Sequence, residues 1–147
     1  QRYLSLERKE EIPLNTVRDI RKLYDEIVEP EIPADQKPDG EFFRKGHVIV
    51  SDAMKERHRG IYGEENICLY MEKALKILND ETLGTVIRTA VGHYLIGYIH
   101  PFYDGNGRLS RFISSYLLGK VFDPLVTCQL SYTVKQNLSA YYKAFDI

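Results

Sequence analysis

The chain has only two cysteines, Cys68 and Cys128, too few and too far apart for a disulfide framework or a thiolate metal site. Two reduced thiols in a cytosolic protein are expected. It has almost no net charge, −1 at neutral pH, so no global field draws it to nucleic acid or to an anionic membrane. It lacks an apolar run of membrane-spanning length, because charged or polar residues interrupt every candidate. No secretory leader, internal repeat or low-complexity tract is read in it. The sequence opens on Gln1 rather than Met and stops inside a helical pattern at Ile147, so it is read as a fragment of a longer protein. What remains is an ordinary soluble composition, 44% apolar and 28% charged, on 147 residues, enough for one domain with a substantial core.

Periodicity predicts a mostly helical chain. Asn15 caps a helix through Val28, with Val17, Ile20, Leu23, Tyr24 and Ile27 on one face. The prolines Pro30, Pro33 and Pro38, with Gly40, make a loop. Phe42 to Val50 has hairpin character, with Gly46 at the turn, and Ser51 to Gly63 reads as polar and irregular. Asn66 to Leu78 carries a helical stripe, and Thr82 to Ile99 is apolar on most sides and is expected to be the central buried helix. Gly84, Gly92 and Gly97 within it weaken the helix and allow close packing. Gly107 to Lys120 and Ser131 to Phe145 complete the helices.

The polar segment between two of these helices holds the chemistry: His100-Pro101-Phe102-Tyr103-Asp104-Gly105-Asn106-Gly107-Arg108-Leu109-Ser110-Arg111. Gly105 and Gly107 permit backbone angles closed to other residues and let main-chain N–H groups approach a ligand. Asn106 stands where a helix begins, as a favoured N-cap. A helix N-terminus with unpaired N–H groups is an anion site. Arg108 and Arg111, three apart, share the first turn, and guanidinium forks suit phosphate oxygens. A lone carboxylate, Asp104, beside phosphates makes sense if it holds Mg²⁺, which takes one or two carboxylates plus substrate phosphates. His100, at the end of the preceding helix, is then a natural general base for a hydroxyl attacking phosphorus.

The run HPFYDGNGRLSR resembles the signature of Fic-domain (Fido-fold) proteins, His-Pro-Phe-x-Asp/Glu-Gly-Asn-Gly-Arg-x-x-Arg, with no departure at a defining position. The resemblance extends loosely from Asn15 to Phe145, with residues 1–14 as an extension of a single Fic domain. It implies a helical bundle with a small β-hairpin flap over the active site. It implies a protein adenylyltransferase moving AMP from ATP to a Ser, Thr or Tyr hydroxyl of a target protein. By position, His100 would deprotonate the target. Asp104 would bind Mg²⁺, and Gly105, Asn106 and Gly107 would form the anion hole, with the Asn106 amide oriented to the α-phosphate. Arg108 would hold the β-phosphate and Arg111 the γ-phosphate. Pro101 and the buried wedge Phe102 would shape the loop. The target segment would add as a strand to the flap, Phe43 to Val50, nearest His47, Val48 and Ile49. The Tyr141-Tyr142 pair resembles a nucleotide-pocket motif: one ring packs and the other reaches ribose or adenine, or both only pack.

Many members carry an inhibitory helix with Ser or Thr, three residues, Glu, then Gly or Asn, whose Glu would pair with Arg111. No Ser or Thr here is followed by Glu at that distance; after Ser5 stands Lys9. The element is expected outside this fragment, on a partner protein, or absent, and an unrestrained Arg111 implies self-modification. Some relatives dimerise, so a homodimer is compatible with the resemblance. Phosphocholine transfer and removal of AMP are alternatives within the family, and a non-enzymatic nucleotide-binding module lies outside it. Gly105 and Gly107 argue against a kinase variant, and the lack of clustered carboxylates against a two-metal nuclease. His93 is expected to be a core histidine with a hydrogen-bond partner, and Lys55, Arg57, His58 and Arg59 a solvated cluster.

Overall fold

A computed structural model describes residues 11–52 and 55–145. The fold is mostly α, with seven helices and one small antiparallel sheet among the described residues. The expectations for Ser5, Lys9 and Ile147 lie outside those residues.

Helix α1 (Val17–Ile27) starts at Thr16 rather than Asn15. Thr16 Oγ1 accepts from Asp19 N while Asp19 Oδ2 accepts from Thr16 N, a reciprocal capping box that Asn15 could not make. Ile20, Leu23 and Tyr24 are buried on its inner face, with Val17 and Ile27 packed at the margin. Ile12 and Leu14 also enter the core, and Ile12 N donates to the Tyr116 hydroxyl.

Helices α2 (Glu64–Leu78), α3 (Thr85–Ile99) and α4 (Asn106–Leu118) form the body, with α3 between the other two and α1 against α2 and α4. Close approach of α2 and α3 depends on Gly92, where an added Cβ would meet Leu78 Cδ1 at 2.3 Å. Burial of α3 is one-sided. Thr89, Gly92, Ile96 and Ile99 are inside, but Val86, Ile87, Val91 and Tyr98 are exposed, so an apolar sequence did not mean an enclosed helix.

Two sequence expectations are corrected. The hairpin is formed by β1 (Ile49–Asp52) and β2 (Lys55–Arg59), not by residues 42–50 around Gly46. Its register slips between Val50 and Ser51, since Val50 pairs with His58 but Ser51 with Glu56. Residues 42–46 lie instead against residues 100–103, with Phe43 and Arg44 fully buried. The last helix is divided as well: α5 (Pro124–Cys128), α6 (Leu130–Gln136) and α7 (Leu138–Lys143) are short. The break between α6 and α7 falls at Asn137, whose side-chain amide donates to the Thr133 carbonyl and competes with the helix for its own backbone.

Candidate active site

Helix α3 ends in a left-handed residue. His100 has φ 53°, the only positive φ at a non-glycine residue among the described residues. The turn redirects the chain into Pro101 and Phe102, both buried, and swings the His100 ring back along its own helix. His100 Nδ1 lies 3.2 Å from the Gly97 carbonyl, which can only accept. Nδ1 therefore carries the proton, and Nε2 presents a lone pair. Burial, followed by smaller effects that include the charge of Arg44, lowers the pKa of this ring to about 4.

The carbonyls at the end of α3 have no partners within the helix. Each is satisfied from elsewhere. Gly97 O takes the His100 ring, and Tyr98 O takes His58 Nε2, whose ring also stacks on Tyr98. Ile99 O accepts from Ile61 N, and Pro101 O from Arg44 N. The Arg44 side chain supplies the rest. Its Nε donates to His100 O at 2.8 Å, and its Nη2 donates to Ile61 O at 2.9 Å and reaches Ile99 O at 3.5 Å. Arg44 is 0% exposed and sits on carbonyl groups at a helix C-terminus, where the dipole favours a cation. Gly60 completes the seam: a Cβ there would fall 2.9 Å from His100 Cβ and closer still to Arg44.

Phe102 anchors the loop from below. Its ring stacks on Tyr24 at 3.6 Å between centroids and meets Phe43 edge-on at 5.5 Å. Asn106 closes the turn by accepting from Phe102 N and donating to Phe102 O, at 3.0 and 2.8 Å. This corrects one expectation for Asn106, which is the first helical residue rather than the cap, and its side-chain amide braces the loop. The cap is Gly105, with φ 83°, where an added Cβ would fall 2.2 Å from Val28 Cγ1. Gly105 N turns to Asp104 Oδ1, and no side chain caps the helix, so the N–H groups of Asn106, Gly107 and Arg108 are left for something else.

Arg108 and Arg111 leave this helix start in different directions. Arg108 pairs with Asp104 Oδ2 at 3.2 Å and with Glu31 Oε2 at 2.9 Å, all three side chains partly or largely exposed. Arg111 folds over Gly107, and burial raises the pKa of the Tyr141 hydroxyl while the charge of Arg111 opposes that rise. Tyr142 is about half exposed. On the other side of the site His47 stacks on Tyr62, Val48 is half-buried with its carbonyl bonded to Gly60 N, and Ile49 is exposed at the start of β1.

A loop that presents a neutral imidazole, a carboxylate, an uncapped helix start and two arginines in this order is matched by a known family. The model of the Fic/DOC family matches residues 13–118. The chain belongs to the Fic/DOC family. Among similar proteins is the protein adenylyltransferase Fic of Drosophila sechellia, 32% identical over 130 residues, 86% of this chain and 23% of that protein. The namesake in Drosophila ananassae is 32% identical over 141 residues, 94% of this chain and 25% of that one. This Fic domain thus spans about a quarter of the length of these relatives. The crystal structure of a Fic family protein from Desulfovibrio desulfuricans G20 superposes with TM-score 0.73 at 19% identity, over 97% of this chain and 41% of that one.

Sequence reasoning placed the motif loop but missed Arg44, Gly60 and Tyr24, which hold it. Arg44 stands beside two phenylalanines that go into the core, and that adjacency was the available signal. Replacing Arg44 by Met strands several carbonyls, each worth about 1–3 kcal/mol when left unpaired and buried. Urea unfolding of Arg44→Met is expected to show a loss of about 3 kcal/mol or more, with Lys recovering only part because it lacks the fork. A loss below about 1 kcal/mol would remove Arg44 from this role.

Proposed function

We propose that this domain transfers the adenylyl group of ATP to a hydroxyl of a target protein and releases pyrophosphate. The observation that carries the reading is the His100 ring. Its Nδ1 proton is tied to Gly97 O, so Nε2 is a free base beside an uncapped helix N-terminus. The target hydroxyl gives its proton to Nε2 as its oxygen bonds the α-phosphorus. The bond from that phosphorus to the bridging oxygen breaks, and pyrophosphate leaves with the pair. The N–H groups of Asn106, Gly107 and Arg108 receive the charge that develops on the phosphoryl oxygens. Arg108 takes the β-phosphate and Arg111 the γ-phosphate. Tyr142, rather than the more buried Tyr141, is the ring available to adenosine.

Asp104 is the residue that would hold Mg²⁺. Its carboxylate is exposed and otherwise met only by Gly105 N and an exposed arginine, and no cluster of three or more metal-ligating side chains occurs among the described residues. A single carboxylate fits a cation that takes the rest of its shell from phosphate and water. Bound there, the ion would neutralise phosphate charge.

The target is proposed to lie along the hairpin. β1 has one partner strand, β2, and Ile49 is exposed at its start, so an extended segment can add by main-chain pairing. No helix of the described residues is long and apolar enough to cross a membrane, and a cytoplasmic site of action belongs to this proposal.

Three measurements test it. Intact mass after incubation with ATP and Mg²⁺ in lysate is expected to show an adenylyl increment on a polypeptide, this chain included. His100→Ala should abolish it while ATP binds within several-fold; a phosphocholine increment, or labelling that survives the substitution, would refute the mechanism. The His100 pKa is depressed, so the base is unprotonated above it. The acidic limb of kcat/KM should therefore fall near pH 4 rather than 6.5, and a limb at pH 6 or above would show that the ring is not shielded as described. Ile49→Pro should lower transfer to a protein target at least ~10-fold and leave ATP affinity unchanged. Equal loss of both would remove the hairpin from target docking.

A further inference from the structure

Transfer as described leaves one polar group of the interior without a task. His93 lies on α3, seven residues before His100, and meets α4 at Ser114. Its ring contacts are directional. Nδ1 is 2.9 Å from Ser114 Oγ, and Nε2 is 2.9 Å from the Tyr141 hydroxyl. Ser114 Oγ gives its single proton to the Ser110 carbonyl at 2.8 Å, so it must accept from His93. Nδ1 is therefore the protonated nitrogen, and Nε2 accepts from the Tyr141 O–H.

With its proton spent on His93, the Tyr141 oxygen can only accept on its remaining side. The charged group that bears on it there is Arg111, whose guanidinium lies over Gly107. The chain of donors runs one way, from Tyr141 to His93, to Ser114, to the Ser110 carbonyl. It begins on α7, crosses α3 and ends on α4, the helix that carries Arg111. A second restraint is Gly107, where a Cβ would come 2.9 Å from Arg111 Nη1. The guanidinium is thus seated between a bare glycine and a phenol oxygen whose orientation His93 dictates.

We propose that His93 is a positioning residue, acting through Tyr141 to aim Arg111 at the terminal phosphate of the nucleotide. This rests on the reading of Arg111 as the γ-phosphate ligand. It goes further in assigning to a core histidine and a tyrosine hydroxyl a preference for nucleoside triphosphate over diphosphate. The geometry requires a neutral ring, because an Nε2 proton would turn a second donor onto the oxygen that receives Arg111. Burial and the charge of Arg111 both lower the His93 pKa, which keeps it neutral. Arg111 from α4 is the charged group facing it and Tyr141 from α7 the titratable one.

Calorimetric titration of the purified chain with ATP and with ADP, in Mg²⁺, tests this. Tyr141→Phe is expected to weaken ATP roughly 10-fold, the loss of one hydrogen bond to a charged group, and to leave ADP unchanged. Arg111→Ala should show the same split, and adding Tyr141→Phe to it should cost no further ATP affinity. His93→Leu should behave like Tyr141→Phe. His93→Gln, which keeps an acceptor for the tyrosine, should stay within about threefold of the parent. ATP and ADP weakened equally in Tyr141→Phe would mean a structural or adenosine-contacting tyrosine, and unchanged ATP would mean that Arg111 needs no such support; either overturns the assignment. A parent chain that binds neither nucleotide overturns the functional reading itself, a distinct result, and the assignment with it.

Discussion

The end of α3 is the constraint on which the rest of the site depends. A helix that stops inside a protein leaves carbonyl oxygens that must find donors. Here the carbonyls of Gly97, Tyr98, Ile99, His100 and Pro101 are each met by a group from another part of the chain or by the His100 ring. Apart from the His100 ring, the donors are Arg44, His58 and Ile61, all from the segment that contains the hairpin. The proposed base and the strand proposed to dock the target are therefore built as one unit. Neither can shift without uncovering buried carbonyls, at about 1–3 kcal/mol each. That exceeds what a surface loop has to spare in a domain of ordinary stability.

The same logic shapes the loop that follows. Phe102 is driven inward by burial and fixed by two aromatic neighbours. Its peptide group, carried inside with it, needs partners, and Asn106 supplies both through one side-chain amide. That choice removes Asn106 from capping α4. Gly105 takes the cap because the backbone there is left-handed and Val28 and Tyr24 leave no room for a side chain. A glycine cap has no side-chain oxygen to offer the helix, so its first N–H groups stay available. The open helix start, the proposed anion site, is thus a consequence of burying Phe102 and not a separate device.

What can be read in the sequence is local. Residues 100–111 are contiguous, so the base, carboxylate, glycine and arginine inventory of the loop is legible in residue type and spacing, whereas the phosphate assigned to each arginine is implied by the family resemblance alone. The helices are legible through their apolar period, within a few residues at the ends. The hairpin is not. Val48, Ile49 and Val50 announce a strand, but its partner Lys55–Arg59 is polar throughout and has no sequence signal. It is held by backbone pairing and by its seat on α3, which are long-range facts. Arg44 is illegible for the same reason, since its partner carbonyls lie up to 56 positions away. His93 is a satisfied core histidine, as its place in an apolar helix implies, but the direction of its bonds comes only from the serine and tyrosine that meet it.

Three arginines surround the loop, and the medium around each decides what it can do. Arg44 is fully buried, so its charge is fixed in place by carbonyls and cannot be exchanged for a ligand. Arg108 is paired with Asp104 and Glu31 at the surface, where an ion pair is worth about 0–1 kcal/mol. A phosphate with more charge and better fork geometry can displace those carboxylates at little cost, and doing so releases Asp104 for a cation. Arg111 lies between these cases, half-buried, and on the proposed reading a tyrosine hydroxyl orients it without neutralising it. On the proposed reading the ligand-free loop therefore neutralises itself only where the pairing is weak, and keeps rigid the charge that sets the base. Binding then exchanges surface partners while the backbone of residues 97–106 stays still, as preorganised electrostatic catalysis requires.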